Sequence, residues 1–243
     1  MLNKNLHKHE TVITGKDFLY EFNVVIYEGV KIGDGVSVGN NAVIYPDTVI
    51  GNNVIILDNA IVGRPPKSGP NSTYKLSTPE PLRVGDGTVI GSGVIIYRGT
   101  SIGKNVFIAD MANVRENCRI GDESVLGKAV SLQDRVKIGE HTRIMNCSQI
   151  TENMEIGSYV FIGPDVSTCS DASFARVPDA SKKTIVKDRA MIGANASISP
   201  GAIIGEGALV AMGSVVVGNV PAGKVVFGNP AKVAWDVGEK RLI

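Results

Sequence analysis

The sequence predicts an all-β fold, a parallel β-helix of hexapeptides with three hexapeptides per coil, two loop excursions and a C-terminal cap. Three observations carry that prediction. An Ile, Val or Leu falls on a six-residue beat 27 times, in runs from Ile26 to Val62, Val84 to Ile162 and Val186 to Val216. A small or β-branched residue stands two positions before the beat, as at Val30, Val36, Ala42, Thr48, Val54 and Ala60. The residue just after the beat changes character with a slower period of 18. A fixed internal period decides architecture ahead of local propensity, and six residues fits neither a helical face nor a plain alternating strand.

Each element follows from these periods. In a strand, side chains at i and i−2 share a face, so the beat residue and its small predecessor both point inward. Glycine fills the slot after the beat for 14 of the 28 glycines, which predicts a corner with positive φ. Read every 18 residues, one corner set is Gly33, Gly51, Gly85, Gly103, Gly121, Gly139, Gly157 and Gly205. A second is Tyr27, Tyr45, Tyr97, Arg115, Gln133, Thr151 and Ser199, and a third mixes Gly39, Leu57, Gly91, Ala109, Gly127, Met145, Gly163, Gly193 and Ala211. Three distinguishable corners predict a triangular prism of parallel strands, stacked at about 4.8 Å per coil.

The register divides the chain into an N-terminal segment (1–20), a β-helix domain (21–220) and a cap with its tail (221–243). Excursions of Pro-, Ser-, Lys- and Asp-rich chain interrupt the prism at about 64–83 and 169–185. In repeat proteins such insertions map to one face and often serve binding. After Val216, Pro221 and Pro230 break the beat, and the segment with Val233 and Trp235 is the candidate cap over the last coil.

Composition narrows the function classes. A net charge of +1 with 20% charged residues argues against a nucleic-acid surface. No stretch is apolar for long enough to span a membrane, and the opening MLNKNLHKHETVITGK lacks the apolar segment of a signal peptide, so the cytoplasm is expected. Three cysteines agree with that compartment; Cys118 takes an inward slot, while Cys147 and Cys169 lack metal-type spacing.

The hexapeptides, the closing VVVGNVPAGKVVFGNPAKV and the prism register together resemble the left-handed parallel β-helix acyltransferases over about residues 20–235. The left hand comes from that resemblance, since parallel crossovers in general favour the right hand. Within the family, IIYRGTSIGKNVFIADMANVRENCRIG and YVFIGPDVSTCSD look most similar to enzymes that acylate amino groups on nucleotide-linked sugars. The resemblance implies a homotrimer and an acetyl-coenzyme A (or other short acyl-coenzyme A) co-substrate held in grooves between subunits; the scarcity of histidines leads to the expectation of no metal. Many relatives carry a catalytic histidine where this chain has Asp110. His141 is the one histidine within the prism, too few for the three-histidine zinc site of carbonic anhydrases built on this fold.

The candidate site follows from chemistry and register together. Acyl transfer needs a neutral amine, a positioned thioester and donors for the developing oxyanion. Asp110 is the candidate proton acceptor, on one edge with Ser92, Lys128, Asn146 and Pro164 and with the small corners Gly193, Ala194, Ala211 and Met212. Five coil steps separate it from Ala211, about 24 Å at sheet spacing, the scale of a pantetheine arm. The alternative is a solvated corner carboxylate like Asp86 or Asp122. Glu116, on another edge, is a second catalytic candidate, reaching the site across a subunit boundary. The resemblance implies a coenzyme A site at the C-terminal coils, where Lys224 and Lys232 would meet phosphates as point charges. Arg64, Lys67, Arg115, Asn146 and Asp165 are candidates for the acceptor, the basic ones for a diphosphate. Competing functions are acyl transfer to an amino-acid precursor amine or a sugar hydroxyl, and a non-catalytic scaffold.

Overall fold

A computed structural model of the chain describes residues 4–70, 78–173, 176 and 182–238. Parts of both excursions (71–77, 174–175 and 177–181) and of the tail (239–243) lie outside the described residues. The chain forms two compact units, 1–123 and 124–243. Each is a stack of short parallel strands arranged in three sheets, and among the described residues there is no helix.

In the first unit, the first face stacks Leu6–Lys8, Val24–Ile26, Val43–Ile44, Ile61–Arg64, Ile95–Tyr97 and Asn113–Val114. Its third face stacks Leu19–Tyr20, Ser37–Val38, Ile55–Ile56, Val89–Ile90 and Phe107–Ile108. Beat residues pair 18 apart, as Ile90 with Ile108, except across the first excursion, where Val49 and Ile50 pair with Arg83 and Val84. The excursion therefore leaves the prism and returns to the register it left. In the second unit the third face runs Val125–Leu126, Arg143–Ile144, Phe161–Ile162, Met191–Ile192 and Leu209–Val210.

The core is the predicted one. Ile44, Ile96, Ile108, Leu132 and Ile144 are fully buried, as are Val30, Val36, Ala42 and Cys118 in the slots two before the beat. Where that slot holds a hydroxyl, the side chain finds a carbonyl 15 residues on: Thr88 donates to Gly103, Thr142 to Gly157 and Ser148 to Gly163. A hydroxyl bonded in this way escapes the desolvation penalty of a buried orphan.

The corners correct one expectation. Of the glycines that follow the beat, only Gly63 has a positive φ; the left-handed residue comes two positions later. Where glycine does not fill that later slot, Asn does so most often, at Asn41, Asn53, Asn59, Asn105, Asn117, Asn153 and Asn195, with φ of 53 to 61°. Asn reaches this region more readily than other side chains. The glycine after the beat answers close approach instead. A Cβ on Gly33 would meet the carbonyl carbon of Gly51 at 2.7 Å, and one on Gly91 would meet Asp110 N at 2.6 Å, both on the neighbouring coil.

The C-terminus is an antiparallel hairpin, Lys224–Gly228 with Ala231–Asp236, joined to the third face by pairing of Leu209 with Val225. Val220, Val225 and Val226 are the residues that bury themselves against the last coil, whereas Val233, expected in the cap, is 55% exposed.

Candidate active site

Asp110 stands in a corner series with one structural task. Its Oδ1 accepts the backbone N–H of Ser92, one coil earlier, at 2.8 Å. Asp34, Asp58, Asp86 and Asp122 do the same in the first unit, and Asn146, bonded to Lys128 N at 3.0 Å, does so in the second. Asp110 is solvent-exposed, beside Met111, which has a φ of 60° and is 63% exposed. Asp165 occupies the left-handed slot (φ 56°) and is exposed.

Glu116 differs from these carboxylates. It is fully buried, and Arg115 grips it with two bonds, Nε to Oε2 at 2.8 Å and Nη2 to Oε1 at 3.0 Å. The same guanidinium lies over the ring of Tyr97, 5.1 Å from its centroid, and Arg64 lies over that ring at 5.7 Å. Arg64, Arg115 and Glu116 thus gather at one corner of the first unit, with Lys67 exposed nearby in sequence.

Two clefts of the second unit are formed by described residues. One is an apolar trough on its third face. Phe161, Met191, Gly193, Leu209, Ala211 and Met212 line one section of about 230 Å³. Ala211 and Met212 also line the next section, of about 500 Å³, with Phe227, Asn229 and Trp235 of the hairpin. Gly193, Ala211 and Met212, chosen from the register, therefore meet in one cleft. Ala194 sits at the same corner, its carbonyl accepting from Gly213 N. Lys224 is bound to Asp236 and Lys232 is exposed on the outer hairpin strand. Neither lysine lines the trough. The register reading missed Phe161, Met191 and Leu209. Their signal was an apolar residue in the outward slot one before the beat on three successive coils of one face.

The second cleft, about 410 Å³, lies on the first face at the root of the second excursion. Ser167, Thr168, Cys169, Asp171, Ser197 and Ser199 line it. Its hydroxyls and carboxylate offer hydrogen-bonding groups that the section from Phe161 to Met212 lacks. The excursion's return is tied down by Glu155, which bonds Lys183 at 2.6 Å and Lys137 at 3.0 Å. Those bonds, Lys183 foremost, hold the Glu155 carboxyl below its usual range. Among the described residues no group of three or more His, Cys, Asp or Glu could hold a metal ion.

Known proteins share this pattern of repeats. A family described as "Bacterial transferase hexapeptide (six repeats)" matches residues 29–64 and 183–218, and "Hexapeptide repeat of succinyl-transferase" matches 81–110. The 2,3,4,5-tetrahydropyridine-2,6-dicarboxylate N-acetyltransferase of Clostridium perfringens is 43% identical over 63 residues, 26% of this chain and 27% of that protein. The chain thus spans about a quarter of the length of the curated relatives it matches. Among solved structures, a variant of AntD, an N-acyltransferase from Bacillus cereus in complex with dTDP and coenzyme A, superposes with a TM-score of 0.51. It is 21% identical, with 56% of this chain and 82% of that one covered, a likeness of fold. A hexapeptide-repeat acetyltransferase from Vibrio cholerae is 27% identical, with 49% of this chain and 74% of that one covered and a TM-score of 0.44.

Proposed function

We propose that this member of the hexapeptide-repeat acyltransferase family is an acyl-coenzyme A dependent N-acyltransferase, moving an acetyl or other short acyl group to the amine of a nucleotide-linked amino sugar. The observation that carries the reading is the trough from Phe161 to Trp235. Its section from Phe161 to Met212 is apolar, Gly193 and Ala211 line it, and its size fits a small-molecule chain. The pantetheine arm of acetyl-coenzyme A is the proposed occupant, with the thioester at one end. Lys232 is the better placed of the two lysines for a phosphate, because Lys224 already has Asp236.

In the proposed reaction the amine lone pair attacks the thioester carbonyl carbon. The tetrahedral intermediate collapses with cleavage of the C–S bond, and coenzyme A leaves as a thiolate. The nitrogen must give up a proton. Asp110 is the proposed acceptor, through Oδ2, since Oδ1 is held by Ser92 N–H. Asn146 and Asp165 are proposed to face the acceptor. The hydroxyl cleft around Ser167, Ser197 and Asp171 suits the sugar. Trough and cleft lie on different faces of the second unit, so an acyl donor in one and a sugar in the other would meet only across a boundary between copies. That supports a homotrimer, and the proposed compartment is the cytoplasm.

A second reading, acyl transfer to the amine of an amino-acid precursor, is favoured by the 43% identity to the dicarboxylate N-acetyltransferase. One experiment separates them: incubation with acetyl-coenzyme A and a panel of amino-sugar nucleotides and precursor amines, following thiol release and product mass. Turnover confined to precursor amines would sink the sugar reading. Absence of thiol release with every amine would sink both.

A further inference from the structure

The pairing of Ile61–Arg64 with Ile95–Tyr97, across the first excursion, contains a β-bulge. Ile61 and Val62 face Ile95 and Ile96, but it is Arg64, not Gly63, that faces Tyr97. Gly63 is the extra residue, buried, with a φ of 83°, and a Cβ there would run into the hydroxyl of Thr48. Thr48 is itself fully buried and bonded to the Tyr45 carbonyl at 2.7 Å. A bulge re-aims a side chain, and such features gather beside functional sites. Here the side chain re-aimed is Arg64, onto the face of Tyr97.

The ring beneath Arg64 meets a second guanidinium. Arg115 stacks on Tyr97 and is fixed by the fully buried Glu116. Tyr97 therefore carries two guanidiniums of unequal state. The Arg115 charge is matched by Glu116. Among the described residues Arg64 makes no ion pair and its guanidinium no hydrogen bond, its one side-chain contact of this kind being the Tyr97 ring. A guanidinium held over an aromatic ring has less conformational freedom left to lose on binding, and its planar fork of donors can meet an oxyanion through two bonds. Lys67, exposed three residues on, adds a second positive charge on the same excursion.

We propose that Arg64, clamped on Tyr97, is a preorganised receptor for an oxyanion of the acceptor, with Lys67 as an auxiliary charge and Glu116 as a positioning residue rather than a proton-transfer group. This rests on the acyltransferase reading for the word acceptor, and the oxyanion can come from a phosphate or a carboxylate. The test is calorimetric binding to the full chain of inorganic pyrophosphate and, separately, of pyridine-2,6-dicarboxylate, with wild type, Arg64→Gln and Arg64→Lys. Pyrophosphate binding that weakens tenfold or more in R64Q and less in R64K supports the proposal with phosphate as the source. The same pattern for the dicarboxylate supports it with carboxylate as the source. Equal binding by wild type and R64Q, or no binding of either anion by wild type, overturns it. Coenzyme A displacing the anion from the Arg64 site would overturn its assignment to the acceptor. Acetyl-coenzyme A binding is measured in parallel. It should be unchanged in R64Q, and its absence in wild type would defeat the enzyme reading without touching the anion result.

Discussion

Replacing Asp110 by asparagine removes a charge while keeping a bond. The carboxylate oxygen that accepts from Ser92 N at 2.8 Å has neutral counterparts elsewhere: Asn52 accepts from Asp34 N at 2.9 Å and Asn146 from Lys128 N at 3.0 Å. Asn at 110 should therefore hold the corner, and the stability of Asp110→Asn should match wild type within about 0.5 kcal/mol. Asp110→Ala abandons the bond at an exposed corner where water can replace it, costing about 0.5–1 kcal/mol. If Asp110 takes the proton from the amine, both variants lose that step equally. The expected loss in kcat is about 100-fold or more, roughly 2.7 kcal/mol in the barrier. Urea denaturation gives the first quantity and thiol release from acetyl-coenzyme A the second. Wild-type turnover by Asp110→Asn would refute the catalytic role and leave Asp110 as one more member of the corner series. A loss of activity that tracks the loss of stability across the two variants would refute it equally.

The other predictions concern single contacts. Ser148 donates to Gly163 O at 2.8 Å, whereas the buried hydroxyl of Ser214 has no partner among the described residues. Ser148→Ala should lower stability by about 1–2 kcal/mol and Ser214→Ala should be neutral or stabilising, as read from denaturation midpoints; equal losses would refute the distinction. Ala129 holds a φ of 55°, so Ala129→Gly should stabilise by about 0.5–1 kcal/mol, and a lower midpoint would count against corner strain. Glu155 has a lowered folded pKa, through Lys183 first and Lys137 second. Its contribution is present above the unfolded value of about 4.3 and disappears as pH falls through the folded value. In that acid window the thermal midpoint of wild type should fall more steeply than that of Glu155→Gln; parallel curves would refute the linkage. Met191 lines the trough and is 38% exposed, so Met191→Asp should raise the KM for acetyl-coenzyme A about tenfold, near 1.4 kcal/mol, at unchanged fold. An unchanged KM would remove the trough from donor binding.

Much of the core and some of the site were legible before any coordinates. The beat residues and the slots two before them are inward because side-chain alternation in a strand leaves no other arrangement, and Ile44, Ala42 and Cys118 are buried as that rule requires. Gly193, Ala211 and Met212 could be grouped because an 18-residue period converts sequence distance into stacking along an edge. The corner glycines were misread for an instructive reason. Sequence spacing marks a tight place in the chain, but whether a residue is small because of its own φ or because of a neighbour's backbone depends on the next coil. Gly91 is small because of Asp110 N, and Asn105 and Asn117 carry the positive φ.

The sequence by itself determined the period, the inward set, the two departures from register and the return of the chain to the register it left. These are local or periodic properties, written in residue size and polarity at fixed spacing. Only the tertiary structure decided which charges meet. Arg115 and Glu116 are neighbours in every conformation, yet their bidentate pairing and burial, and the two guanidiniums on Tyr97, depend on a bulge at Gly63 and on pairing between Arg64 and Tyr97, 33 residues apart. The same holds for the trough, where Phe161 and Trp235 belong to one cleft because the hairpin joins the sheet through Val225. Distance along the chain sets which coil a residue belongs to; contact between side chains is set by how the coils stack.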